Sequence, residues 1–77
     1  MSPPLLPELS DQDTGSVVAV RGEPRLRERL VELGFRPGAR VRVLARAAFG
    51  GPIQVEVLGG TIAVRLDEAG CVEVTRS

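Results

Sequence analysis

The sequence predicts a mainly β fold, a small antiparallel barrel of about five strands with one α-helix inserted after the first strand. Three observations support this prediction. Short β-branched runs recur along the chain, several of them alternate between apolar and polar residues, and Gly or Pro residues separate them. One stretch instead has the residue spacing of a helix. With 77 residues the chain forms one domain at most, and its core must be thin.

The helix is expected to begin at Pro24, because proline is well tolerated at the first helical position. Leu26, Leu30 and Leu33 follow at i, i+4 and i+7, which places them on one face. Gly34 is suited to the position just past the helix end. The sequence therefore predicts one short amphipathic helix.

The strands are predicted from β-branched runs and from alternation. Ser16 to Val20 is the first run, and Val72 with Val74 forms the last. From Arg40 to Ala47 the valines and alanines share one face, and the other face carries Arg40, Arg42, Leu44 and Arg46. Two further runs are expected to direct these apolar residues inward: Ile53, Val55 and Val57, then Ile62, Val64 and Leu66.

The turns are marked by glycine. Gly59-Gly60 predicts a two-residue hairpin turn. Residues 67–70 predict a short turn that includes one turn of helix. The only aromatic residues, Phe35 and Phe49, both lie beside glycines, and we expect them to close the ends of the barrel rather than to form a stacking platform.

Composition predicts the domain boundary and the cellular location. Residues 1–8 are rich in proline and are expected to form a flexible N-terminal extension, with the barrel domain over residues 9–77. No apolar run approaches the ~20 residues that span a bilayer. No secretion signal opens the chain, so the expected location is the cytoplasm, without membrane insertion.

The residue types disfavour catalysis and metal binding. The chain has no His and a single Cys, Cys71, so it lacks the usual zinc ligands and a histidine base for a nucleophile. The carboxylate pairs Asp11/Asp13 and Asp67/Glu68 can hold a hard cation only weakly, and solvated turn residues are the simpler interpretation. We therefore expect no enzyme activity, no catalytic residue, no cofactor and no metal site.

The charges sum to zero but are segregated along the chain. Residues 15–49 carry eight Arg against three Glu. Arg40, Arg42 and Arg46 are expected to share one basic strand face, so a nucleic-acid-binding barrel, or another adaptor that uses this face, is an alternative function. Because no Tyr or Trp is interleaved for base stacking, a solvated or protein-binding face is favoured and no nucleic-acid partner is expected.

Five segments of the chain carry a family resemblance, and the longest runs from Arg29 to Val43, RLVELGFRPGARVRV. This run closely resembles the core RL-x-E-L-G-hydrophobic-x-P-G-x-x-V-x-V of the FeoA family, ferrous iron transport protein A. Each motif is weak by itself, but five in the family order are specific. The other four segments are Leu9 to Gly15, Gly51 to Val57, Gly59 to Ala69 and Val72 to Val74, so that the resemblance covers roughly residues 9 to 75.

The resemblance implies an SH3-like barrel that acts as a small cytosolic accessory of bacterial ferrous iron uptake. It implies docking on the cytoplasmic G-protein region of a FeoB-type permease, and hence a place at the inner face of the membrane through that partner. Modulation of transport would follow from differential affinity for the partner's states. Self-association and a weak direct association with Fe²⁺ are left open.

The predicted partner-binding surface is the helix and its flank. Arg25 and Arg29 lie on the helix, Leu33 and Phe35 lie at its end, and Leu44 lies on the neighbouring strand. The same barrel also forms the C-terminal domain of metal-dependent transcriptional repressors. That role is disfavoured because no helix-turn-helix precedes the barrel.

Overall fold

A computed structural model describes residues 2–76 as one five-stranded antiparallel sheet with two α-helices. The strand order in the sheet is β4-β3-β2-β1-β5. The sheet coils around one apolar core, and the predicted mainly β barrel with a helix after the first strand is confirmed. The elements are β1 (Thr14–Val20), α1 (Pro24–Leu33), β2 (Arg40–Arg46), β3 (Ile53–Val57), β4 (Gly60–Val64), α2 (Leu66–Ala69) and β5 (Val72–Arg76).

Helix α1 has the predicted bounds, and local interactions explain both of its ends. At the start, the Glu23 side chain accepts a hydrogen bond of 3.1 Å from the Leu26 backbone N–H. At the end, Gly34 has a φ of 117°, a left-handed conformation that glycine adopts without steric cost. Leu30 is completely buried, so the helix packs its apolar face onto the barrel.

Valine, leucine and isoleucine build most of the core, and every strand contributes to it. Strand β4 contributes the least, with Val64 as its buried residue. The predicted inward orientation of Ile53, Val55 and Val57 is confirmed, because all three are buried. Val64 is buried and Ile62 is half-buried, but Leu66 is 39% exposed, so its predicted inward orientation is wrong. Strand β4 ends at Val64, and Leu66 instead begins α2, where strand alternation no longer applies.

A β-bulge changes the face on which Arg46 lies. Val43 pairs with Val55, but Ala45 pairs with Gln54, so Leu44 is the extra residue on β2. Because side chains alternate along a strand, this insertion moves Arg46 to the side of its partner Ile53. The prediction that Arg40, Arg42, Leu44 and Arg46 share one face is therefore wrong beyond Val43.

The turn between β3 and β4 lies one residue earlier than predicted. Val57 pairs with Gly60, so the two turn residues are Leu58 and Gly59 rather than Gly59 and Gly60. Both have positive φ, 54° and 77°, as in a type I′ turn. The shift changes the pairing register by two residues and keeps every side chain on its face, which is why alternation alone did not distinguish the two turns.

The sequence suggested a flexible extension over residues 1–8. In the structure, residues 4–8 of this segment make contacts with the barrel. Leu6 is completely buried, and residues 6–8 form a 3₁₀ turn. The Val74 N–H donates to the Pro4 carbonyl at 2.8 Å, and Leu5 forms an isolated antiparallel bridge with Glu73. Residues 4–8 therefore lie along strand β5, while Met1 and Ser77, also parts of the two predicted segments, lie outside the described residues.

Candidate protein-binding surface

The two arginines of the predicted surface are both exposed on α1, but they have different surroundings. Arg29 donates from Nη2 to Oε2 of Glu68, which is only 8% exposed. Glu68 also accepts a 3.3 Å hydrogen bond from the Arg65 backbone N–H at the start of α2. This ion pair therefore ties α1 to α2, whereas the described structure contains no ion pair for Arg25.

The three apolar residues of the predicted surface are less accessible than the arginines. Phe35 is completely buried, so its side chain offers no area to a partner in this structure. Leu33 and Leu44 are half-buried, and Leu33 packs against the core. Of the five predicted residues, Arg25 and Arg29 are therefore the ones that present most of their side chains to solvent.

An exposed leucine of the β3–β4 turn, Leu58, lies against the C-terminal end of α1 and was not part of the predicted surface. Leu58 is 69% exposed and lies over Gly34, because a Cβ built on Gly34 would come within 2.8 Å of Leu58 Cδ1. We call Leu33, Gly34 and Leu58 the helix-end surface. An open groove of about 530 Å³ beside it is lined by Thr14, Arg40, Val41, Arg42, Glu56, Val57, Leu58 and Gly59.

A second exposed apolar residue, Phe49, lies at the tip of the β2–β3 loop. Its side chain is fully exposed, so the prediction that Phe49 closes an end of the barrel is wrong. Phe49 and Gly50 have φ values of 58° and 74°, and the Gly51 N–H donates to the Ala48 carbonyl at 3.2 Å. These values define a tight hairpin turn that directs the Phe49 side chain into solvent.

The carboxylates considered as weak cation ligands already have partners within the protein. Asp11 Oδ1 lies 3.6 Å from Arg46 Nε, and Asp13 accepts a 3.0 Å hydrogen bond from the Ser10 N–H. Asp67 lies 3.7 Å from Arg65 Nε. Over residues 2–76, no three side chains of the Cys, Asp and Glu types gather as a metal-binding group would.

The basic face proposed for a nucleic-acid partner is not continuous. Arg40 and Arg42 are exposed on the outer face of β2. Arg46 lies on the opposite face beyond the bulge, where its Nη2 donates to the carbonyls of Pro7 (2.7 Å) and Leu9. The guanidinium of Arg46 therefore fastens the N-terminal segment to the barrel.

The fold and its surfaces place the chain in the class of small SH3-like β-barrels. In the stretch that the structure covers, residues 2–76, neither helix has the length and apolar character to cross a membrane. The sequence profile of the FeoA domain matches residues 5–76, and 23 chains of solved structures match the chain. Over curated protein sequences, by contrast, the comparison finds no match.

Three solved structures illustrate the similarity. A crystal structure of the iron uptake regulatory protein FeoA has 35% sequence identity and a TM-score of 0.89, with 96% of this chain and 97% of that chain covered. The solution structure of FeoA from Chlorobium tepidum has 37% identity and a TM-score of 0.87, with 95% and 70% covered. Stenotrophomonas maltophilia FeoA, solved in complex with zinc, has 33% identity and a TM-score of 0.80, with 92% and 88% covered.

This chain belongs to the FeoA family, which is implicated in ferrous iron transport. The Stenotrophomonas maltophilia protein is described as a procaryotic SH3 domain protein possibly acting as a ferrous iron transport activating factor. The family and the SH3-like fold expected from the five sequence motifs are both confirmed.

Proposed function

We propose that this protein is a cytoplasmic accessory of ferrous iron uptake that binds the G-protein region of a FeoB-type permease and modulates its transport. The observation that carries the proposal is the FeoA match over residues 5–76, which covers nearly the whole chain. In this role the protein reaches the inner face of the membrane through its partner. It acts by binding and not as an enzyme.

The exposed side of α1 and the helix-end surface support a binding role. Arg25 presents a cation that has no ion-pair partner among the described residues, and Leu58 presents an apolar side chain that is 69% exposed. Exposed apolar side chains with charged neighbours are common at protein–protein contacts. A partner that binds here would bury Leu58 and pair an acidic side chain with Arg25.

The test is calorimetric titration of the purified G-protein region of the permease, from the same organism, with the full-length protein. The titration is run with GDP and with a non-hydrolysable GTP analogue, because a modulator must distinguish partner states. We expect binding in at least one nucleotide state, and we expect Arg25→Glu to weaken it by about tenfold or more, which corresponds to ~1.4 kcal/mol.

Arg29 has a matched control in its own ion-pair partner. Arg29→Ala and Glu68→Gln both break the ion pair between α1 and α2, but only Arg29→Ala removes a cation from the surface of α1. A direct contact with the partner predicts that Arg29→Ala weakens binding and Glu68→Gln does not. Equal losses would mean that Arg29 acts by positioning α1.

The proposal is wrong if two results occur together. The first is that the wild-type protein does not bind the G-protein region in either nucleotide state. The second is that deletion of the gene leaves ferrous uptake unchanged in anaerobic, iron-poor medium.

A further inference from the structure

The two edges of the sheet differ in what covers them. Strand β5 is one edge, and the N-terminal segment lies along it through the Leu5–Glu73 bridge and the hydrogen bond from Val74 to Pro4. Strand β4 is the other edge. Over residues 2–76, β4 pairs with β3 alone, and no backbone hydrogen bond from another segment reaches it.

The register shows which backbone groups of β4 are unpaired. Val57 and Gly60 close a two-residue turn, so they form a hydrogen-bonded pair. Hydrogen-bonded and non-hydrogen-bonded pairs alternate along an antiparallel ladder. The N–H and C=O groups of Thr61 and Ala63 therefore point away from β3, and both residues are exposed.

The composition of β4 leaves this edge unprotected. Proteins usually shield an exposed edge strand with charged side chains, proline, a bulge or a covering segment. Strand β4 reads Gly-Thr-Ile-Ala-Val, with no charge and no proline, and its five pairs with β3 run without a bulge. Such an edge can accept an added strand, a recognition mode in which the backbone supplies the affinity.

Exposed apolar side chains flank β4 at both of its ends. Leu58 is in the turn that precedes the strand. Leu66 follows the strand, and a Cβ built on Gly50 would lie 3.8 Å from Leu66 Cδ2, so the Phe49 loop lies at the same end. Three of the four large apolar side chains exposed in the described structure therefore belong to segments at the two ends of β4.

Two of these apolar residues occupy backbone positions that normally select other residue types. Phe49 and Leu58 have φ values of 58° and 54° in tight turns, where Asn, Asp or Gly is preferred. A bulky residue at such a position is a genuine outlier. Backbone strain of this kind clusters at functional sites such as ligand-binding sites, where the surrounding structure holds it in place.

We propose that the β4 edge binds an extended peptide segment of a partner protein by strand addition. The segment hydrogen-bonds to Thr61 and Ala63 through its backbone and inserts one apolar side chain beside Leu58 and another beside Phe49 and Leu66. Because Ile62 is half-buried on the inner face, the residue of the segment that lies next to it is also apolar.

The length of the edge defines the segment. Strand β4 has five residues, which span about 14 Å at ~3.4 Å per residue. A segment of about five to seven residues reaches from Leu58 to Phe49. The segment is uncharged on its inner face, alternates apolar with polar residues, and lacks proline at the positions that donate to Thr61 and Ala63. The β4 edge includes neither Arg25 nor Arg29 of α1, but it shares Leu58 with the helix-end surface. Peptide binding at this edge is therefore tested with a peptide alone, in the absence of the permease.

The test uses a phage-displayed library of random nonapeptides as the probe and the full-length protein as the target. We expect selected peptides to alternate apolar and polar residues. On binding a synthetic copy of the best peptide, the amide protons of Thr61 and Ala63 should exchange with solvent at least about tenfold more slowly, whereas the amides of Gly60 and Ile62 are already protected by β3.

Substitutions at one position of the edge separate backbone recognition from side-chain recognition. Ala63→Pro removes an N–H that is not part of the β3 ladder, and we expect it to weaken the peptide by about tenfold or more. Ala63→Ser keeps the N–H and should bind as wild type does. Far-UV circular dichroism checks that both variants are folded.

Methylation of the peptide backbone gives a second test that needs no protein variant. N-methylation at every second peptide residue should abolish binding, and methylation at the residues between them should not. The proposal is overturned if the library yields no binding peptide, or if N-methylation weakens binding equally at both sets of positions. It is also overturned if the peptide slows amide exchange in α1 instead of β4, or if exchange at Thr61 and Ala63 slows with rising protein concentration in the absence of peptide. The last result would assign the edge to a second copy of this chain.

Discussion

Phe35 and Phe49 are the two aromatic residues of the chain, and both lie beside glycine, yet one is completely buried and the other is fully exposed. Phe35 follows Gly34 at the end of α1, and its N–H donates to the Leu30 carbonyl at 3.0 Å, so the chain turns back onto the barrel. Phe49 is itself a central residue of the hairpin turn between β2 and β3, and its side chain is exposed to solvent at the tip of that turn. A neighbouring glycine therefore indicates a turn but not the side on which the aromatic ring lies.

The largest expected effect is at Phe35. Phe35→Ala should lower the free energy of unfolding by about 3–5 kcal/mol, because it removes a large, completely buried side chain from a thin core. The measurement is equilibrium unfolding in urea, followed by circular dichroism. A loss below about 1 kcal/mol would contradict the buried position of Phe35.

An intermediate effect is expected at Gly34, the residue that turns the chain toward Phe35. Gly34→Ala forces a side chain into a φ of 117° and places its Cβ 2.8 Å from Leu58 Cδ1, so we expect a loss of about 1–3 kcal/mol. Thermal and urea unfolding of Gly34→Ala, of Leu58→Gly and of the double variant separate the two causes. In the Leu58→Gly background, Gly34→Ala should lose only the part due to φ, so its cost should be smaller than in the wild-type background. An equal cost in both backgrounds would mean that Leu58 moves aside freely.

The smallest effect on stability is expected at Phe49. Phe49→Asn should leave the free energy of unfolding within about 0.5 kcal/mol of the wild-type value or raise it slightly, because the ring is exposed and Asn tolerates positive φ. The same unfolding experiment serves as the control for Phe35→Ala. A loss above about 1 kcal/mol would show that the Phe49 ring packs against the barrel.

The parts of the fold with local causes were predictable from the sequence. Helix α1 begins at Pro24 and ends before Gly34, because the first helical position favours proline and the position past the helix end favours glycine. The inward faces of β3 and β5 follow from alternation, which a half-buried strand requires. The five family motifs covered the same region as the FeoA domain match.

The remaining differences depend on contacts between distant segments. The bulge at Leu44 redirects Arg46, whose side chain then bonds to the carbonyls of Pro7 and Leu9 more than 30 residues away. Arg29 has Glu32 one helical turn ahead, but its partner is Glu68 on α2. Sequence spacing identifies neighbours on one element, whereas these partners become neighbours only when the barrel closes.

For a related reason, the sequence alone did not predict that β4 is an edge strand that no other segment covers. Gly60 to Val64 reads as an ordinary strand, and only the strand order shows that nothing lies beyond it. The signal that was available is the residue type at the turns. Phe-Gly and Leu-Gly stand where Asn-Gly is usual, and an apolar residue before the glycine of a tight hairpin suggests a contact outside the fold.

The pairing of β1 with β5 has a consequence for how the chain folds during synthesis. Gly15 pairs with Arg76 and Val20 with Val72, so the first strand completes its hydrogen bonds only when the last residues are present. Until residues 72–76 are available, Pro4 and Leu5 also lack the backbone partners that hold the N-terminal segment along β5. Barrels with such distant pairings fold in about milliseconds to seconds. The sheet is therefore completed only after residues 72–76 have been synthesised, and a chain that ends before Val72 lacks strand β5 and is expected to be degraded rather than to fold as a shortened domain.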